Sequence, residues 1–402
     1  MGRRPTTIRR GTLLGLGGIG YGALLFVWFS LPAYLAPIIE ELRLSGTQAG
    51  ALAGAVPLTY IPLGLLSGLV VDRIGARSGI GIGIGLAGLG QLGRAGASTF
   101  PSMFALTLLL GVGATGITFG LPKLAAELYP AELVGRAASV YLVASYAGSA
   151  TAFALGRSVL GPALGGWRPL FFASGAVTLA LAAVWAALAW YVPPGDHDEG
   201  DGQFSVASFA ADVRTVLASR DLRLLILLAT MYLFVIHGLQ GWLVTLFETR
   251  GVDPGLAGGV TAVLVAGQVV GVLAAPAVAE RSGRTRGTLV GCAAVAAVAV
   301  LGLLFEPVVA LAVAVRVGLI GVGMGGLSPL IRAIPVELDG IGPTLTGTAV
   351  GLVFAVGEIG GFLGPVVVGA LRDQTGSFAP GLVLCSAAAV IAAGAGASMR
   401  DV

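Results

Sequence analysis

The sequence predicts an all-α polytopic membrane protein, with twelve transmembrane helices arranged as two pseudo-symmetric six-helix bundles. Three observations carry that expectation. Of 402 residues, 56% are hydrophobic and 11% charged, and the mean hydropathy is +0.94; a soluble domain carries about a quarter charged residues, so 23 basic and 20 acidic side chains could not keep a globule of this length wet. Apolar runs of the ~20 residues needed to cross a bilayer recur twelve times. The second half also repeats the first.

The runs fall in order near 12–38, 47–71, 79–97, 101–126, 136–160, 168–192, 222–247, 255–279, 287–305, 308–333, 345–371 and 378–398. Run one follows Arg9-Arg10 in the manner of an export signal, but it continues to Ile39 without a small-residue cleavage site, so it is read as a retained helix. Run three holds the glycine series Gly79 to Gly83, which lies inside an apolar run and therefore makes no phosphate loop. Runs five, eight and eleven carry Gly148 and Gly156, Gly267 and Gly271, and Gly357, Gly360, Gly361, Gly364 and Gly369, which suits close helix packing. Between runs six and seven, Pro193-Pro194-Gly195 and an acidic stretch read as a flexible linker. Within it, Phe204 to Leu217 has the pattern of a short amphipathic surface helix. The domains expected are 1–192, a linker over 193–222, and 223–402.

Shifting the chain by about 208 residues aligns Leu31 with Leu239, Glu40 with Glu248, Arg73 with Arg281 and Gly75 with Gly283, while Asp72 meets Glu280. Such a repeat implies two six-helix units related by an axis along the membrane normal.

The net charge of +3 and pI of 9.1 do not point to nucleic acid, because the charges sit in short clusters between apolar runs. With the N-terminus inside, sixteen basic residues flank the inner helix ends, among them Arg3, Arg4, Arg9, Arg10, Arg73, Arg77, Arg281, Arg284 and Arg286. Six lie outside: Arg43, Arg94, Arg157, Arg168, Arg250 and Arg372. That asymmetry places both termini in the cytoplasm of a cell-membrane protein. Cys292 and Cys385 lie in apolar runs and imply no bridge.

The sharpest local signal is Gly68-Leu-Val-Val-Asp72-Arg73-Ile-Gly75-Ala-Arg77, in the inner turn between runs two and three. Gly68 suits a close helix approach, Gly75 a tight turn, and Asp72 a pairing with a neighbouring helix end that holds the inner face closed until the halves rock. Glu280, Arg281 and Gly283 stand at the equivalent turn of the second half.

Twelve helices in two halves, a long central loop and this turn resemble the major facilitator superfamily of secondary transporters. The resemblance implies two bundles around a central cavity, alternating access, a single chain acting alone and no bound cofactor. It also implies that helices one, four, seven and ten line the cavity and that two, five, eight and eleven form the contact between halves. Trp28-Phe29, Tyr34-Leu-Ala-Pro37, Leu44-Ser45 and the turn are similar to the cyanate and nitrate branch of anion carriers. Nitrate carriers of that branch place an arginine in helix two and in its helix-eight counterpart; runs two and eight here have none, which speaks against nitrate itself.

Ionisable residues within the membrane are functional candidates because each costs ~2.5–3.5 kcal/mol at the bilayer centre. Arg316 in run ten is the first candidate for an anionic substrate, since a guanidinium stays charged and offers two parallel hydrogen bonds. Glu358 in run eleven is the candidate for coupling, taking up and releasing a proton as access alternates. His237 and Gln240 in run seven, Lys123 in run four, and Tyr21 and Trp28 in run one complete the candidate substrate site. No HExxH, paired aspartates or Ser/His/Asp grouping supports an enzyme. The expected function is ion- or proton-coupled transport of a small polar solute, a small anion being one option. The alternative is an efflux pump for drugs or amphipathic metabolites.

Overall fold

A computed structural model describes residues 4–191, 213–305, 310–338 and 343–400. The twelve apolar runs are twelve long helices among them. α1 (Arg4–Ala33) breaks at Tyr34 before α2 (Leu35–Leu42), because Pro32 and Pro37 supply no N–H to the Trp28 and Ala33 carbonyls. Run one is thus two segments. α3 (Gly46–Ile74) is run two and α4 (Ala76–Gly96) run three. α5 (Phe100–Leu128) starts from a Thr99–Ser102 capping box with Pro101 in its first turn. α6 (Ala131–Leu155) passes through a π-helical turn at Gly156–Leu160 into α7 (Gly161–Leu164), and α8 (Trp167–Tyr191) closes the first half.

A short helix over 213–218, α9, precedes the second half. The predicted linker and most of the predicted amphipathic segment, through residue 212, lie outside the described residues. α10 (Arg220–Thr249) is capped by Ser219, and α11 (Pro254–Ser282) by Asp253, whose carboxylate accepts from Gly255 and Leu256 N–H at 2.9 and 3.1 Å. α12 (Thr285–Gly302), α13 (Ala310–Glu337), α14 (Pro343–Thr375) and α15 (Ala379–Ala397) follow.

Among the described residues, ten of these helices are long and apolar enough to span a membrane, and α3, broken near Gly64, makes an eleventh if taken as one span. The sequence alone gives twelve runs. The shortfall is α4, whose 21 residues include eight glycines that dilute its hydropathy.

By contacts the chain forms two compact units, Met1–Ala33 with Leu66–Gly202, and Tyr34–Leu65 with Gln203–Val402. Inside the first, α1 packs on α6 and α8, and α4 on α5 and α8. Inside the second, α10 packs on α14 and α15, and α12 on α13 and α15. The partner scheme is therefore the same in both, as the repeat requires. The opening half of α3 belongs to the second unit, where a Cβ on Gly50 would land on the Pro365 carbonyl of α14. Glycines at other crossings admit the same close approach: Gly148 against the Gly22 carbonyl, Gly271 against Val322, and Gly360 against Thr230.

Candidate functional site

In the second unit, α10 and α14 bring His237 and Glu358 together. Their side chains are 12% and 11% exposed, and His237 Nε2 stands 3.8 Å from Glu358 Oε2. That separation exceeds a hydrogen bond, and Glu358 Oε2 has no hydrogen-bond partner among the described residues. The two residues are separate candidates in the sequence; packing makes them a pair. Gly361 explains how the carboxyl fits. A Cβ there would fall on Glu358 Oε2, and it would also stand 3.1 Å from the His237 ring and from Pro57 of α3. Glycine one turn from the glutamate leaves the hollow in which the carboxyl lies.

Two further charged or polar groups approach this pair. Arg332 on α13 holds its guanidinium 4.3 Å from the centre of the Phe354 ring, one turn before Glu358 on α14. Its Nη1 donates to the Ser328 carbonyl at 3.0 Å and to the Ser328 hydroxyl. The Arg332 charge acts on Glu358 and on Tyr232, whose hydroxyl faces Ser328. Sequence reading counts Arg332 as a cytoplasmic charge and passes over Tyr232 and Ser328. Nothing in the local pattern joins them, because the cluster exists only where α10, α13 and α14 meet.

Gln240, one turn after His237, donates from Nε2 to Gln268 Oε1 on α11 at 3.1 Å. Both amides are buried, so this bond ties α10 to α11. Gln268, a buried amide in an apolar run, is legible in the sequence and is absent from the candidate set drawn from it.

Arg316 is not brought to this cluster. Its Nη1 donates to the carbonyls of Gly302 at 2.9 Å and Phe305 at 3.2 Å. The last turn of a helix leaves its carbonyls unpaired and partly negative, so the arginine closes the end of α12. The structure thus places this predicted substrate-binding residue at the end of α12.

In the first unit, Lys123 Nζ donates to Asp72 Oδ1 at 2.8 Å and to the Val71 carbonyl at 3.4 Å. Lys123, a predicted substrate-site residue, thereby meets the predicted gating turn and pins α5 to the end of α3. Gly75 adopts φ +83° and starts α4, and the Arg77 carbonyl accepts from Trp185 Nε1 of α8 at 2.9 Å. Gly283, its counterpart, adopts φ +62° at the end of α11, behind the exposed Glu280 and Arg281. The positive φ at both turns suits glycine. Among the described residues, no atom lies within 4 Å of a Cβ added to Gly68. Arg73 is exposed. Tyr21 faces Tyr141 of α6, with ring centres 6.3 Å apart, and Trp28 lies parallel to Phe29 at 5.3 Å.

A sequence profile described as the Major Facilitator Superfamily matches residues 17–365, most of the chain. The chain belongs to the Major Facilitator Superfamily. Similar proteins include the 3-(3-hydroxy-phenyl)propionate transporter of Escherichia coli (strain K12), 27% identical over 89% of this chain and 85% of that protein. The gentisate transporter of Corynebacterium glutamicum is 29% identical over 90% and 83%. Among solved structures, the D-xylose-proton symporter covers 96% of this chain and 96% of its own with a TM-score of 0.74 at 16% identity, a likeness of fold. This superfamily member is a multi-pass membrane transporter and not an enzyme.

Proposed function

We propose that this transporter moves a small organic acid across the cell membrane together with a proton, and that Glu358 is the group that carries the proton beside His237. The observation that carries the reading is a buried carboxyl whose Oε2 has no hydrogen bond among the described residues, set 3.8 Å from an imidazole. A buried ionised carboxylate is costly unless it is paired and hydrogen-bonded. Two resolutions are open to Glu358: a proton on the carboxyl, or a charge matched by His237 or Arg332. A conformational cycle that alternates these two states takes up a proton on one side and releases it on the other. The acid substrate class is supported by relatives named for aromatic acids. Within the cluster, Arg332 offers the complementary cation.

Proteoliposomes test the reading with labelled gentisate or 3-hydroxyphenylpropionate and an imposed pH gradient. Wild type is expected to accumulate the acid against its own gradient, whereas Glu358→Gln loses accumulation and keeps substrate exchange. Undiminished pH-driven accumulation in Glu358→Gln would overturn it. Outward movement of amphipathic drugs without acid uptake would favour the efflux alternative.

A further inference from the structure

Arg94 is wholly buried near the end of α4 in the first unit, and most of its hydrogen-bonding capacity is unused. Nη1 donates to the Val27 carbonyl of α1 at 3.2 Å, and the guanidinium lies 4.9 Å from the centre of the Phe171 ring of α8. Nε and Nη2 have no partner among the described residues. These two nitrogens form one edge of the guanidinium, and their N–H bonds run parallel in the fork that grips an anion. Gln91, one turn earlier, has an Oε1 without a partner among the described residues, while its Nε2 donates to Ser30 Oγ at 3.1 Å and Ser174 Oγ at 3.0 Å.

Among the described residues, no carboxylate is paired with Arg94. The segments that form α1, α4 and α8 contain no Asp or Glu at all. A guanidinium cannot escape the difficulty by losing its proton, since arginine stays charged in proteins. A buried charge without a partner is strongly unfavourable. One carbonyl and one aromatic face leave Nε and Nη2 without a hydrogen-bond acceptor among the described residues.

We infer that the buried Arg94 edge, one helical turn from Gln91 and its Ser30 and Ser174 partners, is a binding site for a small anion held inside the first unit. The anion supplies the missing charge and accepts both parallel N–H bonds. Gln91 joins by turning its amide over, so that its NH2 faces the ligand, and the Ser30 and Ser174 hydroxyls, which otherwise donate to the Val27 and Leu170 carbonyls at 2.9 and 2.7 Å, turn to donate to its oxygen. The chemistry admits a halide from solution or the carboxylate end of a transported acid. The site is independent of Glu358, which lies in the other unit.

Thermal unfolding of the purified full chain at constant ionic strength tests it, with sodium gluconate as the baseline and sodium chloride, bromide or benzoate as probes. The expected result is a saturable rise in Tm with at least one probe in wild type. Arg94→Met should lose that rise, and Gln91→Leu should need about tenfold more anion, the loss of one ~1.4 kcal/mol hydrogen bond to a charged group. A response to halide alone identifies a resident halide; a response to benzoate alone identifies a carboxylate. No anion-specific shift in wild type, or an equal shift in Arg94→Met, overturns the site. Should Arg94→Met fail to fold, Gln91→Leu and the anomalous signal of bromide-grown wild-type crystals decide: a bromide peak on the Nε–Nη2 edge supports the site, and an ordered water there with no bromide refutes it.

Discussion

Removing the carboxylate of Asp373 should loosen the start of α3, more than three hundred residues away in the chain. Asp373 Oδ1 accepts from Gly46 N–H at 2.6 Å, and Oδ2 accepts from Thr47 N–H and from the Thr47 hydroxyl, both at 2.8 Å. Ser45 and Gln48 form a reciprocal box beside it, with Gln48 N–H on Ser45 Oγ at 3.1 Å and Ser45 N–H on Gln48 Oε1 at 3.0 Å. All of the first three N–H groups of α3 are thus satisfied, two of them by Asp373 alone. Hydrogen bonds to a charged group reach about 1.5–3 kcal/mol each when buried, but Asp373 is exposed and water replaces what it loses. The capping scale of ~0.5–2 kcal/mol is therefore the right one. The upper half applies here, about 1–2 kcal/mol, because two backbone donors and a helix-dipole charge go together. Hydrogen exchange over residues 44–52 reads this directly: Asp373→Ala should open that segment about 5–30-fold more often. Asp253→Ala, which removes the cap of α11 instead, should leave 44–52 unchanged. Exchange there that is the same in wild type and Asp373→Ala would refute the assignment of the cap.

Three further outcomes are expected. Asp72→Asn should cut transport severely while Tm hardly moves, because an exposed pair contributes under about 1 kcal/mol; wild-type flux in reconstituted vesicles would remove Asp72 from gating, and a Lys123→Asp, Asp72→Lys exchange should recover part of the loss. Arg316→Met should leave the substrate KM unchanged and lower stability by about 1 kcal/mol, from the α12 carbonyls it deserts; a large rise in KM with unchanged Tm would place it in the substrate site instead. Gly361→Val should insert in the membrane yet lose acid accumulation, because its side chain takes the place of the Glu358 carboxyl; normal accumulation would show that the carboxyl does not need that hollow.

Much of this is open to sequence reading. Twelve apolar runs become twelve helices because a backbone in lipid must satisfy its own polar groups, and only helices of that length do so within one segment. The glycines at 75 and 283 are found at their turns because positive φ leaves a mark in the residue type. The break at Tyr34 and the Ser45–Gln48 box are also local chemistry, a few residues wide.

Tertiary packing decided the rest. Glu358 and His237 are each conspicuous as ionisable residues in apolar runs, but their pairing follows from glycines that let α14 settle on α10. Arg316 and Arg94 look alike in sequence, each an arginine toward the outer end of an apolar run. Packing sent one to the open end of α12 and sealed the other between α1 and α8, with Nε and Nη2 unpartnered among the described residues. The sequence by itself determined where the chain is helical, where it turns and how few charges enter the membrane, because hydropathy and φ preference act on each residue locally. Which of those charges meet was settled only by the folded helices, since a side chain's partner depends on the helix face that its neighbours leave open.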